Sequence, residues 1–188
     1  MPSPIIHTTA GYVLYRLSRK ADNQQSKRKR YKNLPPLLLF SIGMSLLPDL
    51  DSIPGLIVGN LSLYHNNAFH SLSVGVLVAL VGGLIARYAL RLNYWLGFLI
   101  GLVGYEVHII LDYFTIGRGV MLFWPLTQER YESPIKLFYG LRWSEGLLSY
   151  KHLWTLASET LVVAVVFLLD RVSIRKSSQA IQDPNESG

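Results

Sequence analysis

Residues 71–86 read SLSVGVLVALVGGLIA, and Arg87 closes the run. They form the second half of a longer stretch, Ser52 to Ala86, where 35 residues pass without one Asp, Glu, Lys or Arg. A membrane-crossing helix needs about 20 mostly apolar residues, since backbone polar groups in hydrocarbon must bond within their own segment. The segment 71–90 meets that length. Two further candidates lie downstream. One is 94–114, of which residues 95–114 read WLGFLIGLVGYEVHIILDYF. The other is 153–170, LWTLASETLVVAVVFLLD. Two shorter apolar runs come earlier, Pro4 to Leu17 and Pro36 to Leu47, the second ended by Pro48. The expected fold is an all-α membrane bundle of about five helices, three clear spans and two short or partial ones.

Composition agrees. Half of the 188 residues are hydrophobic and 16% are charged, where a soluble domain carries about 25% charge. That argues against disorder, a coiled coil and an ordinary soluble enzyme. The chain has no cysteine, which removes a disulfide framework, a Cys-ligated zinc site, an iron–sulfur cluster and a thiol nucleophile. The N-terminus lacks the basic region, long apolar core and small-residue cleavage site of a signal peptide. No internal repeat is visible. Residues 1–176 read as one membrane-embedded domain with a basic polar linker at 19–33, and 177–188 as a polar tail expected to be disordered.

The net charge of +6 could suggest nucleic acid, but its distribution suggests a membrane. If five helices alternate, twelve basic residues share one side: seven in 19–33 including Lys27-Arg28-Lys29-Arg30, then Arg87, Arg91, Arg171, Arg175 and Lys176. The 115–152 segment on the other side holds five. Basic excess marks the cytoplasmic face. A nucleic-acid patch would bring interleaved aromatics or a reading module, so no nucleic-acid partner is expected. The aromatics of 123–154 (among them Phe123, Trp124, Phe138, Tyr139, Trp143, Tyr150 and Trp154) read most simply as an interfacial belt.

Ionisable residues inside a membrane bundle are costly and usually functional. His7 opens the first helix. Asp49 and Asp51, in LLPDLDSIPG, end the second. His65 and His70, in YHNNAFHS, lead into the third. His108 and Asp112, in HIILD, close the fourth, and His152 opens the fifth. Alternation puts all of these at one end, opposite the basic loops. His108 and Asp112 share a helix face, and Gly97, Gly101 and Gly104 lie near the same stripe, where another helix could approach closely. Asp49 and Asp51 can converge from an extended turn if Leu50 turns away. Each motif alone has a structural explanation: a hydrogen bond, a helix stop, an interfacial imidazole. On one rim together they point to a divalent cation, which removes the repulsion among three carboxylates. Imidazole nitrogens with carboxylate oxygens suit zinc best, with manganese or iron as alternatives. Seven candidate ligands (His7, Asp49, Asp51, His65, His70, His108 and Asp112) are enough for one or two ions. Glu106 points away from His108. It and Glu159 are expected to pair with Arg87 or a polar neighbour, and His152 to be interfacial or supporting.

The order of His7, PDLD at 48–51, HNNAFHS at 65–71, HIILD at 108–112 and GVMLFWPLT at 119–127 resembles the bacterial membrane-bound metal-dependent hydrolase family, a domain of unknown function. The likeness covers about residues 4–127 and, more loosely, the last span. It implies an integral membrane protein with a hydrolase site, distantly similar to the zinc phospholipase C and S1/P1 nuclease group, and it matches the same seven residues to ligand positions. One departure matters: where the family has HRGxTHS, this chain has Asn66, Asn67 and Phe69. The loop therefore lacks the arginine that could grip a phosphate bidentately.

The leading expectation is metal-assisted hydrolysis of a phosphoester or ester, with a lipid as the natural substrate at a membrane surface. Asp51 or Asp112 is the candidate general base. No GxSxG elbow supports a serine hydrolase beside His70-Ser71. The rival class is a non-enzymatic membrane protein, such as a metal or proton transporter or an accessory subunit. Transporters place ionisable groups near the midplane and often carry repeats. The expected location is the bacterial inner (plasma) membrane with the metal site on the extracytoplasmic side.

Overall fold

Proline opens the first two helices. Pro4 begins α1 (Pro4–Gln25), and Pro35 and Pro36 stand in the first turn of α2 (Leu34–Leu46), where a missing N–H costs no hydrogen bond. The computed structural model describes residues 2–25, 34–59, 63–141 and 150–182. After α2 the chain tightens into a 3₁₀ helix, Leu47–Ser52, and the short α3 (Ile53–Ile57). Then follow α4 (Leu72–Tyr88), α5 (Tyr94–Tyr113) and α6 (Lys151–Gln182). Ser71 caps α4 by accepting from the Val74 N–H, and Asn93 caps α5 by accepting from Trp95 and Leu96. Each satisfies donors that a helix start leaves bare. Among the described residues there is no strand. Two isolated bridges, Thr115 with Phe138 and Val120 with Tyr131, shape the segment between α5 and α6.

The all-α bundle stands as expected, and three of its helical stretches are long and apolar enough to cross a membrane: Pro36–Gly55, Tyr94–Tyr113 and His152–Ser173. The membership of that trio differs from the expectation. The 71–90 segment forms a helix of only 17 residues, about 25 Å at 1.5 Å per residue. α2 does end at Leu46, just ahead of Pro48, but the helical apolar stretch does not stop there. Pro48 lies in the first turn of the 3₁₀ helix, where proline is tolerated, and the apolar stretch runs on to Gly55. α1 also passes Leu17 and continues to Gln25, seven residues into the expected linker; 26–33 lie outside the described residues. α6 reaches Gln182, six residues into the expected polar tail, and 183–188 lie outside the described residues.

α5 is the hub, packed on α1, α2 and α4. A Cβ on Gly97 would fall 2.1 Å from the Ala86 Cβ, and one on Gly101 3.2 Å from the Ala79 Cα. The two glycines therefore let α4 and α5 touch backbone to backbone. Gly104 faces Leu14, Met44 and Ser45 instead, so the expected stripe serves two interfaces. Tyr15, Leu37, Phe40, Met44 and Ile100 fill the core between α1, α2 and α5. α6 is the least enclosed element. Only 17% of its apolar window is buried inside the protein, against 39% for α5, and it leans on α1.

Candidate metal centre

The alternation of α1, α2, α4 and α5 brings the start of α1, the 3₁₀ helix after α2, the loop before α4 and the end of α5 to one end of the bundle. All seven expected ligands meet there. Three overlapping groups could each hold a metal ion: His7 with His108 and Asp112, Asp49 with His70 and His108, and Asp51 with His65 and His70. Asp49 and Asp51 converge from a 3₁₀ helix rather than an extended turn, and Leu50 between them is turned out and exposed. His65 and His70 come from a turn in which Asn66 takes φ 59°, a left-handed conformation that asparagine tolerates. Tyr105 holds this turn to α5 by donating its hydroxyl to the Phe69 carbonyl at 2.6 Å.

Hydrogen bonds fix the imidazoles. His65 Nδ1 donates to Asp51 Oδ1 at 2.8 Å, and His70 Nδ1 donates to Asp51 Oδ2 at 2.9 Å. His108 Nδ1 donates to the Ser45 carbonyl at 2.7 Å. Carboxylate and carbonyl oxygens only accept, so each Nδ1 must carry the hydrogen. In the neutral rings the lone pair is then on Nε2. Yet His70 Nε2 and His108 Nε2 face each other at 3.3 Å. Asp49 Oδ1 is 3.4 Å from His108 Nε2, and Asp112 Oδ2 is 3.3 Å from His70 Nε2. His7 stacks on His108 with centroids 3.6 Å apart and points Nε2 at Asp112 Oδ1, 3.5 Å away. Lone pairs this close repel unless a proton or a cation sits between them. A tetrahedral ion with bonds of about 2.0–2.1 Å spaces its ligands about 3.3–3.4 Å apart, which matches these separations.

The outer residues are also accounted for. Burial pulls the His70 imidazole down, but hydrogen bonds and charge from Asp112 and Asp51 outweigh it and hold it up at about 9. Without a cation at that point, a proton on Nε2 would relieve the same repulsion. Asp51, expected as ligand and base, has both oxygens committed to imidazole N–H groups. His152 is buried at the start of α6 and belongs to none of the three groups. Glu106 lies against Gly75 on α4, also outside them. Of the partners expected for Glu159, Arg87 or a polar neighbour, it has the polar neighbour, Ser3. It is fully buried and accepts from the Ser3 N–H at 2.8 Å and from the Ser3 hydroxyl, so it anchors the segment leading into His7. Of the aromatics, Phe123, Tyr139, Tyr150 and Trp154 are exposed as a belt requires, while Trp124 and Phe138 are half-buried and Trp143 lies outside the described residues.

Sequence reasoning missed two arginines. The HNNAFHS loop has none of its own, but Arg118 donates to the His65 carbonyl. Arg130 donates to the Asn66 carbonyl at 2.8 Å and to the Asn67 side chain. Burial lowers both guanidinium pKa values, Arg130 being lowered further by the charge of Arg118. These contacts join positions 53 to 64 residues apart, so no local spacing announces them.

A helical bundle with three membrane-length apolar stretches and a buried His/Asp cluster at one end defines an integral membrane protein with a candidate metal centre. The chain belongs to the YdjM inner membrane protein family, whose profile matches residues 1–178. It is therefore an integral inner membrane protein, which agrees with the membrane part of the resemblance; the family's description names no reaction. No curated protein and no solved structure matches the chain.

Proposed function

We propose that the protein is a membrane-bound metal-dependent hydrolase that cleaves a phosphoester or ester, a lipid being the natural substrate. One observation carries this: with Nδ1 of His70 and of His108 both committed as donors, their Nε2 atoms converge at 3.3 Å beside Asp49 and Asp112. His70, His108, Asp49 and Asp112 are the ligands, with His7 closing the set, and zinc is the ion this donor mix suits best. His65 Nε2, 3.9 Å from Asp49 Oδ1, leaves room for a second ion. A divalent cation there would supply Lewis acidity and draw the pKa of a coordinated water towards about 7. Asp51 orients His65 and His70 as a carboxylate behind a ligating imidazole does. Of the two expected bases, Asp51 has both oxygens on imidazole N–H groups, so the role falls to Asp112, through the oxygen that the ion would leave free.

The charge bias supports an extracytoplasmic site. Since the chain has no cysteine, a cysteine placed at exposed Gln128 should react with a membrane-impermeant thiol reagent in intact cells. Resistance there would move the site to the cytoplasmic side. The activity itself is tested by incubating detergent-purified protein with phosphoester and carboxylic ester lipids. Turnover that is lost on chelation, restored by zinc or manganese and absent in His108→Ala supports a hydrolase. No turnover of any ester by fully metal-loaded protein, with metal flux in proteoliposomes instead, would make it a transporter.

A further inference from the structure

Beside the metal centre lies an apolar groove of about 280 Å³ between α1, α5 and α6. Ile6, Ala10, Val13 and Leu17 line it from α1, Val107 and Leu111 from α5, and Val162 from the facing side of α6. Thr9 is its one hydroxyl, and that hydroxyl is spent on the Ile5 carbonyl of its own helix at 2.8 Å. At one end Ile6 adjoins His7 and Leu111 adjoins Asp112, the pair whose Nε2 and Oδ1 stand 3.5 Å apart. From Ile6 to Leu17 the helix rises about 16 Å at 1.5 Å per residue. Half of a hydrocarbon core of about 30 Å is about 15 Å, the depth of one leaflet.

Two polar clasps bracket the groove. Glu159 of α6 binds Ser3 near the site. Asp170 of α6 binds the Tyr12 hydroxyl at 2.9 Å and Arg16 at 2.8 Å further down. They fix α6 to α1 at two levels and leave the apolar walls between them apart. We infer that this groove is the acyl-chain subsite of the metal centre: a lipid of the adjoining leaflet lays one chain along α1, between α5 and α6, and its ester or phosphoester linkage is thereby brought to His7 and Asp112. The surroundings offer that occupant directly, because α5 and α6 are membrane-length apolar helices. The groove's length matches one leaflet, and its end abuts the candidate ligands. The inference rests on the hydrolase reading for its catalytic meaning, but not for the binding itself.

Two readouts keep the two apart. The intact protein, reconstituted in phosphatidylglycerol vesicles, is labelled with a phosphatidylglycerol carrying a photoreactive diazirine near the end of one chain. Labelling should concentrate on the groove walls and drop about tenfold in Ala10→Trp and, from the opposite wall, Val162→Trp, each filling the space of several methylenes. Both variants should keep wild-type metal content, which shows that they fold. In parallel, the ratio of dodecanoyl to acetyl p-nitrophenyl ester hydrolysis should fall about tenfold in the same variants. Labelling spread evenly over the lipid-facing surface, label that persists in the plugged variants, or crosslinks to a second copy of the chain would overturn the subsite. Groove labelling without hydrolysis of either ester would remove the hydrolase reading and leave the lipid site standing. Hydrolysis whose chain-length ratio ignores both plugs would do the reverse.

Discussion

The two sides of the candidate centre are built differently. On the loop side, Asp51 spends both oxygens on His65 and His70, and two arginines bind the loop's carbonyls or side chains. On the helix side, both nitrogens of His7 and both oxygens of Asp49 are buried without a hydrogen-bond partner among the described residues, and the Asp112 oxygens meet only imidazole nitrogens at 3.3–3.9 Å; the loop side leaves His65 Nε2 and Asn66 Oδ1 bare. A buried polar atom left bare costs about 1–3 kcal/mol, so four in one place are costly unless a cation shares them. The contrast separates work within one cluster. The loop side holds imidazoles in place; the helix side holds donors in reserve for something positive.

The comparison breaks most sharply if the reserved donors are removed. His108→Ala or Asp49→Ala should strip the purified protein of most of its metal, because one lost ligand opens the site and leaves neighbouring carboxylates uncompensated. Elemental analysis of wild type and variants, purified side by side, reads this directly; unchanged content in both would dissolve the distinction. Asp51→Asn attacks the other side. It keeps the shape but weakens the carboxylate that orients His65 and His70, and affinity should fall by about 10–100-fold without vanishing. If Asp51→Asn behaves like His108→Ala in a chelator competition, Asp51 is a ligand after all.

Acid sharpens the same contrast. His70 stands at about 9 in the metal-free chain against an ordinary 6.5. That proton contributes its full stability below pH 6.5 and loses it as pH rises through about 9. A metal must displace it, so affinity should strengthen by up to about tenfold per pH unit across this window. The melting gap between metal-bound and metal-free protein should widen from pH 6.5 to 9 in step. A gap that stays flat in calorimetry over that range would show that His70 never exchanges a proton for a metal.

Much of this was legible in the sequence because alternation and spacing are local signals. His108 and Asp112 had to share a face, and His7, PDLD, HNNAFHS and HIILD had to gather at one end once the helices alternated. Pro48 was misleading, since a proline that ends an α-helix can equally open a 3₁₀ turn, and only the packing around Asp49 and Asp51 decides. Glu159 is expected to pair with Arg87 or a polar neighbour; the neighbour is Ser3, 156 residues away, which the sequence alone does not indicate. The same holds for Arg118 and Arg130 over the His65 loop, and for Ser45, whose contribution is a backbone carbonyl. Glu159→Gln should have the smallest effect of the changes considered. It loosens the anchor before His7, costing about 1–3 kcal/mol in thermal denaturation followed by helical circular dichroism, with only a minor loss of metal. A loss of metal as complete as that of His108→Ala would place Glu159 inside the centre.

Both sides of the centre have a common purpose only if the reserved donors hold an ion. The direct measurement is the metal content of wild-type protein, purified in detergent, before and after reconstitution with zinc, manganese and iron. At least about one equivalent of a transition metal per chain, zinc held most tightly, is the expected result. A wild-type protein that binds none of them, even after reconstitution at neutral pH, would contradict the assignment of this cluster as a metal centre.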